Sequence, residues 1–223
     1  MKWLKSEWPQ LLILLLPVCV AALLWDKLPE RMPIHWNAHG EIDGYAGKPF
    51  ATFFVPALNL FIVALIYFLS RFDPRVRKAE PELQKGFQKT FRVIRLAISG
   101  FMAVVALTIL GIAAGLSLDM TRIIGVGAAL LIGILGNLMS KIRPNYFVGI
   151  RTPWTLESRE VWIKTHRFGG RVMVAGAILL LIACFALKGV AYAFVMLSVV
   201  LTMAFVPMIY SFVIYKKEHS SAQ

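Results

Sequence analysis

The chain has 223 residues, of which 58% are apolar and 16% charged, and its mean hydropathy is +0.69. This composition excludes an ordinary soluble domain, and the apolar residues gather in blocks of about twenty, the length that crosses a hydrocarbon core. The net charge of +12 is concentrated in particular loops rather than along a stripe, so it reads as membrane topology and no direct nucleic-acid binding is expected.

The expected fold class is all-α: a polytopic membrane protein with six transmembrane helices, drawn at residues 9–25, 50–69, 93–116, 123–139, 172–187 and 190–210. The first span follows a basic start, Lys2 and Lys5, and no small-x-small site comes after it, which predicts a retained signal anchor. Cys19 and Cys184 both lie inside apolar runs and read as small buried hydrophobes rather than a disulfide. Residues 26–49 are rich in turn formers, including Pro29, Pro33, Gly40, Gly44, Gly47 and Pro49, and predict an ordered outer cap with tight turns. Trp25, Trp36 and Tyr45 suit the headgroup level.

The second span carries Pro56 and Asn59. Proline bends a helix, and an amide in lipid needs a partner, so Asn59 is expected to face the bundle. Residues 71–92 form a basic connection in which Asp73-Pro74 and Glu80-Pro81 read as turns or helix starts, and 82–95 as an interfacial helix merging into the third span. The third and fourth spans are joined by a turn of about six residues and form an antiparallel hairpin, with Gly111 and Gly115 as a small-xxx-small pair for close packing. No carboxylate falls inside any of the six drawn spans, which counts against a charge-coupled transporter.

A long polar segment, 141–171, then precedes the fifth span. Arg143-Pro144-Asn145 reads as a turn, Thr152-Pro153 or Thr155 as a helix cap, and 156–168 as an amphipathic helix lying on the membrane. That helix is expected to turn into the fifth span at Gly169-Gly170, with Glu160 and Lys164 as an i,i+4 ion pair. Pro207 bends or ends the sixth span, and 216–223 form a short disordered tail.

Charge sets the orientation. The N-terminal start, 71–95, 141–171 and the C-terminal tail hold 19 of the 24 Lys and Arg residues, which places both termini in the cytoplasm of a multi-pass cell-membrane protein. The outer segment offers His35, Asn37, His39, Glu41 and Asp43. His35, His39 and Asp43 are the only candidates for a metal, and a weak set, because Gly40 and Gly44 break regular spacing; a hydrogen-bonded loop core and contact with an external ligand are the alternatives. In the inner segment, Arg151, Arg159, Arg167 and Arg171 with Trp154 and Trp162 fit both headgroup anchoring and recognition of a protein or anionic ligand. No nucleophile elbow, HExxH or phosphate loop is present; the chain is not expected to be an enzyme and no cofactor is implied.

Two resemblances sit on these segments. Pro33, His35, Trp36, Asn37, Gly40, Asp43, Gly44 and Lys48 follow the approximate P-x-H-W-N-x-x-G-x-x-D-G-x-x-x-K pattern of the DUF1648 membrane domain. Gly136, Asn137, Asn145, Phe147, Gly149, Arg151, Thr152, Pro153, Trp154, Thr155, Val161, Trp162, Thr165, His166, Arg167 and Gly169 resemble the SdpI/YfhL family signature. The resemblance divides the chain into a DUF1648-like hairpin of helices with its outer loop (1–70), a basic linker (71–92), an SdpI-like four-helix domain with the signature loop 141–171 (93–215), and the tail.

It also implies immunity to a secreted peptide toxin, coupled to retention of a cytoplasmic transcriptional autorepressor at the membrane. The toxin-facing residues would be His35, Trp36, Asn37, His39, Glu41, Asp43 and Lys48. The partner-binding residues would be Asn145, Arg151, Thr152, Trp154, Trp162, His166 and Arg167. The competing readings are a transporter or flippase of a small amphipathic molecule, favoured by a polar cavity at the bilayer midplane, and a metal-dependent membrane enzyme.

Overall fold

The computed structural model describes residues 2–220, and the side chains of 7–218 and 220. The N-terminal helix α1 (Lys2–Leu24) ends in a 3₁₀ turn, Trp25–Lys27. It is followed by the strands β1 (Arg31–Trp36) and β2 (Ile42–Gly47), then by helices α2 (Lys48–Phe72), α3 (Pro74–Arg77), α4 (Pro81–Ala113), α5 (Met120–Met139), α6 (Pro153–Glu157), α7 (Arg159–Ala186) and α8 (Gly189–Ser220). Among the described residues six helices, α1, α2, α4, α5, α7 and α8, are long and apolar enough to span a bilayer. They match the six predicted spans in order.

The chain folds as two groups of helices sharing α4. In the first, α1 and α2 pack on α4; in the second, α7 packs extensively on α5 and also on α8, and α4 contacts α5. Helix α4 passes unbroken through residue 92, where the sequence reading ends its basic linker, so the 82–95 segment does merge into the third span. The expected turns are helix caps: Asp73 Oδ1 accepts from the backbone N–H of Arg75 (2.8 Å) and Val76 (3.2 Å), and proline follows Asp73 and Glu80 at the helix starts.

Four expectations change. Residues 31–47 form a two-stranded antiparallel hairpin, an addition to the all-helical reading; irregular register at Pro33–His35–Trp36 hides strand alternation from the sequence. Gly115 does not pack as the partner of Gly111. It lies beyond α4 at φ +94, where Gly115 N–H donates to Ile112 O (3.0 Å) and Leu116 N–H to Gly111 O (2.9 Å), a Schellman stop. Helix α8 passes Pro207 and includes 216–220, where a disordered tail is expected; 221–223 lie outside the described residues, as do the side chains of Lys2 and Lys5. Cys184 is buried, but Cys19 is exposed on the surface of α1.

Candidate functional site

At one end of the bundle the β-hairpin stands on the helices. Met32 is fully buried beneath it with Ala21, Leu28, Ala51 and Leu110, and Trp36 packs against the same cluster. Asn37 closes the hairpin: its Oδ1 accepts from the N–H of His39 (2.9 Å) and Glu41 (3.0 Å), and its Nδ2 donates to Glu41 Oε2 (2.9 Å). Gly40, at φ +83, completes the turn and lies against α5, where a Cβ would stand 2.9 Å from Thr121 Oγ1. Lys48 is buried with its Nζ 4.6 Å above the Trp25 ring and 3.8 Å from Glu30 Oε1, which makes it a support of the hairpin.

His35 and Asp43 face each other across the strands at 2.5 Å, both exposed. His39 does not join them. It sits at the hairpin tip beside the α7–α8 turn, where a Cβ on Gly189 would lie 3.6 Å from its ring, so the proposed metal trio is divided. Among the described residues no group of three or more His, Cys, Asp or Glu side chains is arranged to hold a metal. The tip instead borders a cleft of about 280 Å³ lined by His39, Asp119, Arg122, Lys188 and Tyr192.

At the opposite end, the 141–171 segment is knitted to itself. Asn145, fully buried, accepts at Oδ1 from Phe147 N–H (2.9 Å) and Val148 N–H (2.7 Å) and donates from Nδ2 to Arg143 O (2.9 Å) and Val148 O (2.8 Å). His166 Nε2 accepts from Ile150 N–H (3.0 Å), so the neutral ring carries its proton at Nδ1, which faces Trp162 O at 2.8 Å. The Trp162 indole stacks on His166 with centroids 4.1 Å apart and donates to Ile142 O (2.8 Å). Thr152 and Thr155 form a capping box at α6, and Trp154 donates to Ser211 Oγ of α8.

Four of the seven inner-segment candidates, Asn145, Thr152, Trp162 and His166, are therefore buried and shape the loop; none of the four is placed to touch a partner. Trp154 is half-buried against Phe212 and Tyr215. Arg151 and Arg167 are exposed. The expected ion pair between Glu160 and Lys164 is present at 2.6 Å, and Glu218 of α8 also reaches Lys164, at 3.2 Å. The elbow is displaced from the predicted position: α7 runs straight through Gly169-Gly170, and the break is at Ser158, which caps α7 through Val161 N–H (3.2 Å). The two glycines serve close packing. A Cβ on Gly170 would be 2.7 Å from Gly136 O, and one on Gly169 would be 3.3 Å from Pro207.

Several contacts at this end escape the sequence reading, in which Phe147 figures only within the family resemblance. Tyr146 and Phe147 project from the loop with exposures of 42% and 40%, and Tyr146 N–H donates to Asp73 Oδ2 (2.6 Å), tying the loop to the α2–α3 corner. Inside the first helix group, Arg95, 5% exposed, pairs with Glu7 and donates to Gln10 Oε1 (3.2 Å). Gln10 donates to Ser99 Oγ (2.8 Å), and Asn59 donates to Ser99 O (3.2 Å), as its expected bundle-facing position requires. Helix α1 begins before the drawn span, so a carboxylate, Glu7, does enter the packed bundle. The available signal was a helical spacing of polar residues, Glu7 with Gln10 and Arg95 with Ser99.

Residues 141–211 match the SdpI/YfhL protein family, and residues 12–60 match a domain of unknown function, DUF1648. Over 221 residues the chain is 27% identical to the protein named Immunity protein SdpI of Bacillus subtilis (strain 168), an alignment covering 98% of this chain and 100% of the relative. No solved structure matches. The first match takes in the buried lattice from Asn145 to Ser211, and the second takes in the β-hairpin and Asn59. By both matches and the near full-length similarity, this multi-pass membrane protein is SdpI-like, with the SdpI/YfhL match in its C-terminal part and the DUF1648 match in its N-terminal part.

Proposed function

We propose that the chain is an SdpI-like immunity and signal-transduction protein. Its β-hairpin meets a secreted peptide toxin outside the cell, and the exposed rim of the 141–151 loop holds a cytoplasmic transcriptional repressor. The near full-length similarity to an immunity protein supports the reading. The observation that carries the division of labour is that both end structures bridge the two helix groups. The hairpin tip lies against α5 and the α7–α8 turn, while Tyr146 of the loop is bonded to Asp73 at the α2–α3 corner. A ligand that moves one helix group against the other changes both ends together.

On this reading the outer contacts are His35, His39 and Asp43, with Asn37, Glu41, Trp36 and Lys48 holding the hairpin in shape. The inner contacts are Tyr146, Phe147, Arg151 and Arg167, rather than the buried Asn145, Trp162 and His166. The test is paired: toxin survival and membrane recruitment of the repressor in a sensitive host, with membrane abundance measured beside them. Arg151→Ala and Phe147→Ala are expected to lower recruitment several-fold at unchanged abundance, and His35→Ala to lower survival. Recruitment by both inner variants equal to wild type removes the inner assignment.

A further inference from the structure

Helices α5 and α7 cross at Gly136 and Gly170, and the side chains flanking the crossing wall an open groove of about 530 Å³. Its two ends differ in chemistry. Toward the signature loop it is lined by Arg167, Arg171, Asn137 and Ser140, and further along α7 by Val174, Ala175 and Ile178. The polar end stands at the edge of the apolar spans, because α5 ends at Met139 and the apolar run of α7 begins at Val172. No carboxylate lines the groove, and among the described residues none of the four polar side chains has an ion-pair or hydrogen-bond partner. The carbonyls of Leu138 and Met139, at the end of α5, are taken by the N–H groups of Lys141 (2.8 Å) and Ile142 (3.2 Å). Arg167 and Arg171 are also one turn apart on α7, a spacing at which like charges repel. Two uncompensated cations beside an apolar wall call for an anion.

We propose that this groove binds one anionic phospholipid, with its phosphodiester at Arg167 and Arg171 and an acyl chain along Val174 and Ile178. A guanidinium group matches two phosphate oxygens at once, and the phosphodiester's negative charge relieves the repulsion between the two arginines. The Asn137 amide and the Ser140 hydroxyl add neutral donors for ester and headgroup oxygens. The apolar wall separates a lipid from a soluble phosphate: Ile178 is exposed, two turns of helix beyond Arg171, and gives a chain apolar surface to cover. Basic pockets between membrane helices recognise anionic headgroups on this principle. Arg167 also lines the neighbouring groove beside Lys141 and Arg143, so Arg171 is the cation that belongs to this groove alone. The assignment requires neither toxin nor repressor. It places a lipid along the seam between α5 and α7, where the second helix group is most extensively packed.

Purified full-length protein in detergent is titrated with phosphatidylglycerol or phosphatidylcholine, with inorganic phosphate as competitor. Binding is read by native mass spectrometry and by the rise in the thermal unfolding temperature. One phosphatidylglycerol is expected to bind saturably, in preference to phosphatidylcholine, and to remain bound in excess phosphate. Affinity should fall at least about tenfold in Arg171→Gln, the loss of charge-assisted hydrogen bonds to the phosphate, and about threefold in Asn137→Leu. It should hold within about twofold in Arg159→Gln, which removes the same charge from the start of α7, outside the groove. No saturable lipid, equal binding of the two lipids, or an equal loss in Arg171→Gln and Arg159→Gln overturns the site. Displacement of the lipid by phosphate assigns the arginines to a soluble anion, and a lipid-free dimer broken by Arg171→Gln assigns the groove to a second copy of the chain. Either result overturns the lipid.

Discussion

At the scale of single residues, the signature loop is an exercise in satisfying polar groups away from water. His166 offers one acceptor and one donor, and the fold uses both, on Ile150 N–H and Trp162 O, while Gly149 passes directly over the ring at φ +124. A Cβ at Gly149 would collide with His166 Nε2 and approach the Trp162 ring to 3.2 Å. Gly149→Ala is therefore expected to destabilise the protein by at least about 2 kcal/mol, combining backbone strain with displacement of a buried ring. Gly47→Ala, where no atom lies within 4 Å of the added carbon, should leave the melting temperature unchanged within error. Equal melting temperatures for the two variants in detergent would refute this account of the loop. His166→Ala should cost about 3 kcal/mol by leaving Ile150 N–H without its acceptor and a void beside Trp162. Rescue to within about 1 kcal/mol by His166→Gln, which restores an acceptor, would point to the hydrogen bond over ring packing.

The elements were legible to different degrees, for identifiable reasons. Apolar runs near the length of a bilayer locate six helices regardless of context, and Asp73 and Thr152 declare helix starts through local capping chemistry. Short irregular strands bound by a histidine, an asparagine turn and three glycines carry no such periodicity, so the β-hairpin was visible only as an ordered loop. The roles of glycines were not legible, because one residue type serves a helix stop at Gly115 and a helix crossing at Gly170, and only the neighbouring element distinguishes them. The distinction is measurable. If Gly170 were a hinge between a surface helix and a span, alanine would be tolerated there. The structure instead sets it against the backbone of Gly136, so Gly170→Ala is expected to cost about 1–3 kcal/mol by forcing α5 and α7 apart. A fall in thermal stability, with the secondary-structure content retained, is the expected reading in detergent.

Across the whole molecule, the charge pattern and the architecture agree on which structures share an end. The hairpin, the α4–α5 turn and the α7–α8 turn lie together, joined by the contacts of Gly40 and His39, and they carry Lys27, Arg31, Lys48, Arg122 and Lys188. The other end gathers the α2–α4 connection and the signature loop, joined through Asp73 and Tyr146, and holds most of the basic residues. What the sequence could not show was that α4 belongs to both helix groups, because the buried pairing of Arg95 with Glu7 links positions 88 residues apart. Basic loops are retained in the cytoplasm, so the loop end should face inward and the hairpin outward. In a Cys19→Ala/Cys184→Ala background, Ala38→Cys at the hairpin tip should react with a membrane-impermeant maleimide in intact cells. Lys141→Cys, exposed at the start of the loop, should react only after permeabilisation. The reverse pattern would invert the assignment of toxin and repressor to the two ends while leaving the fold intact.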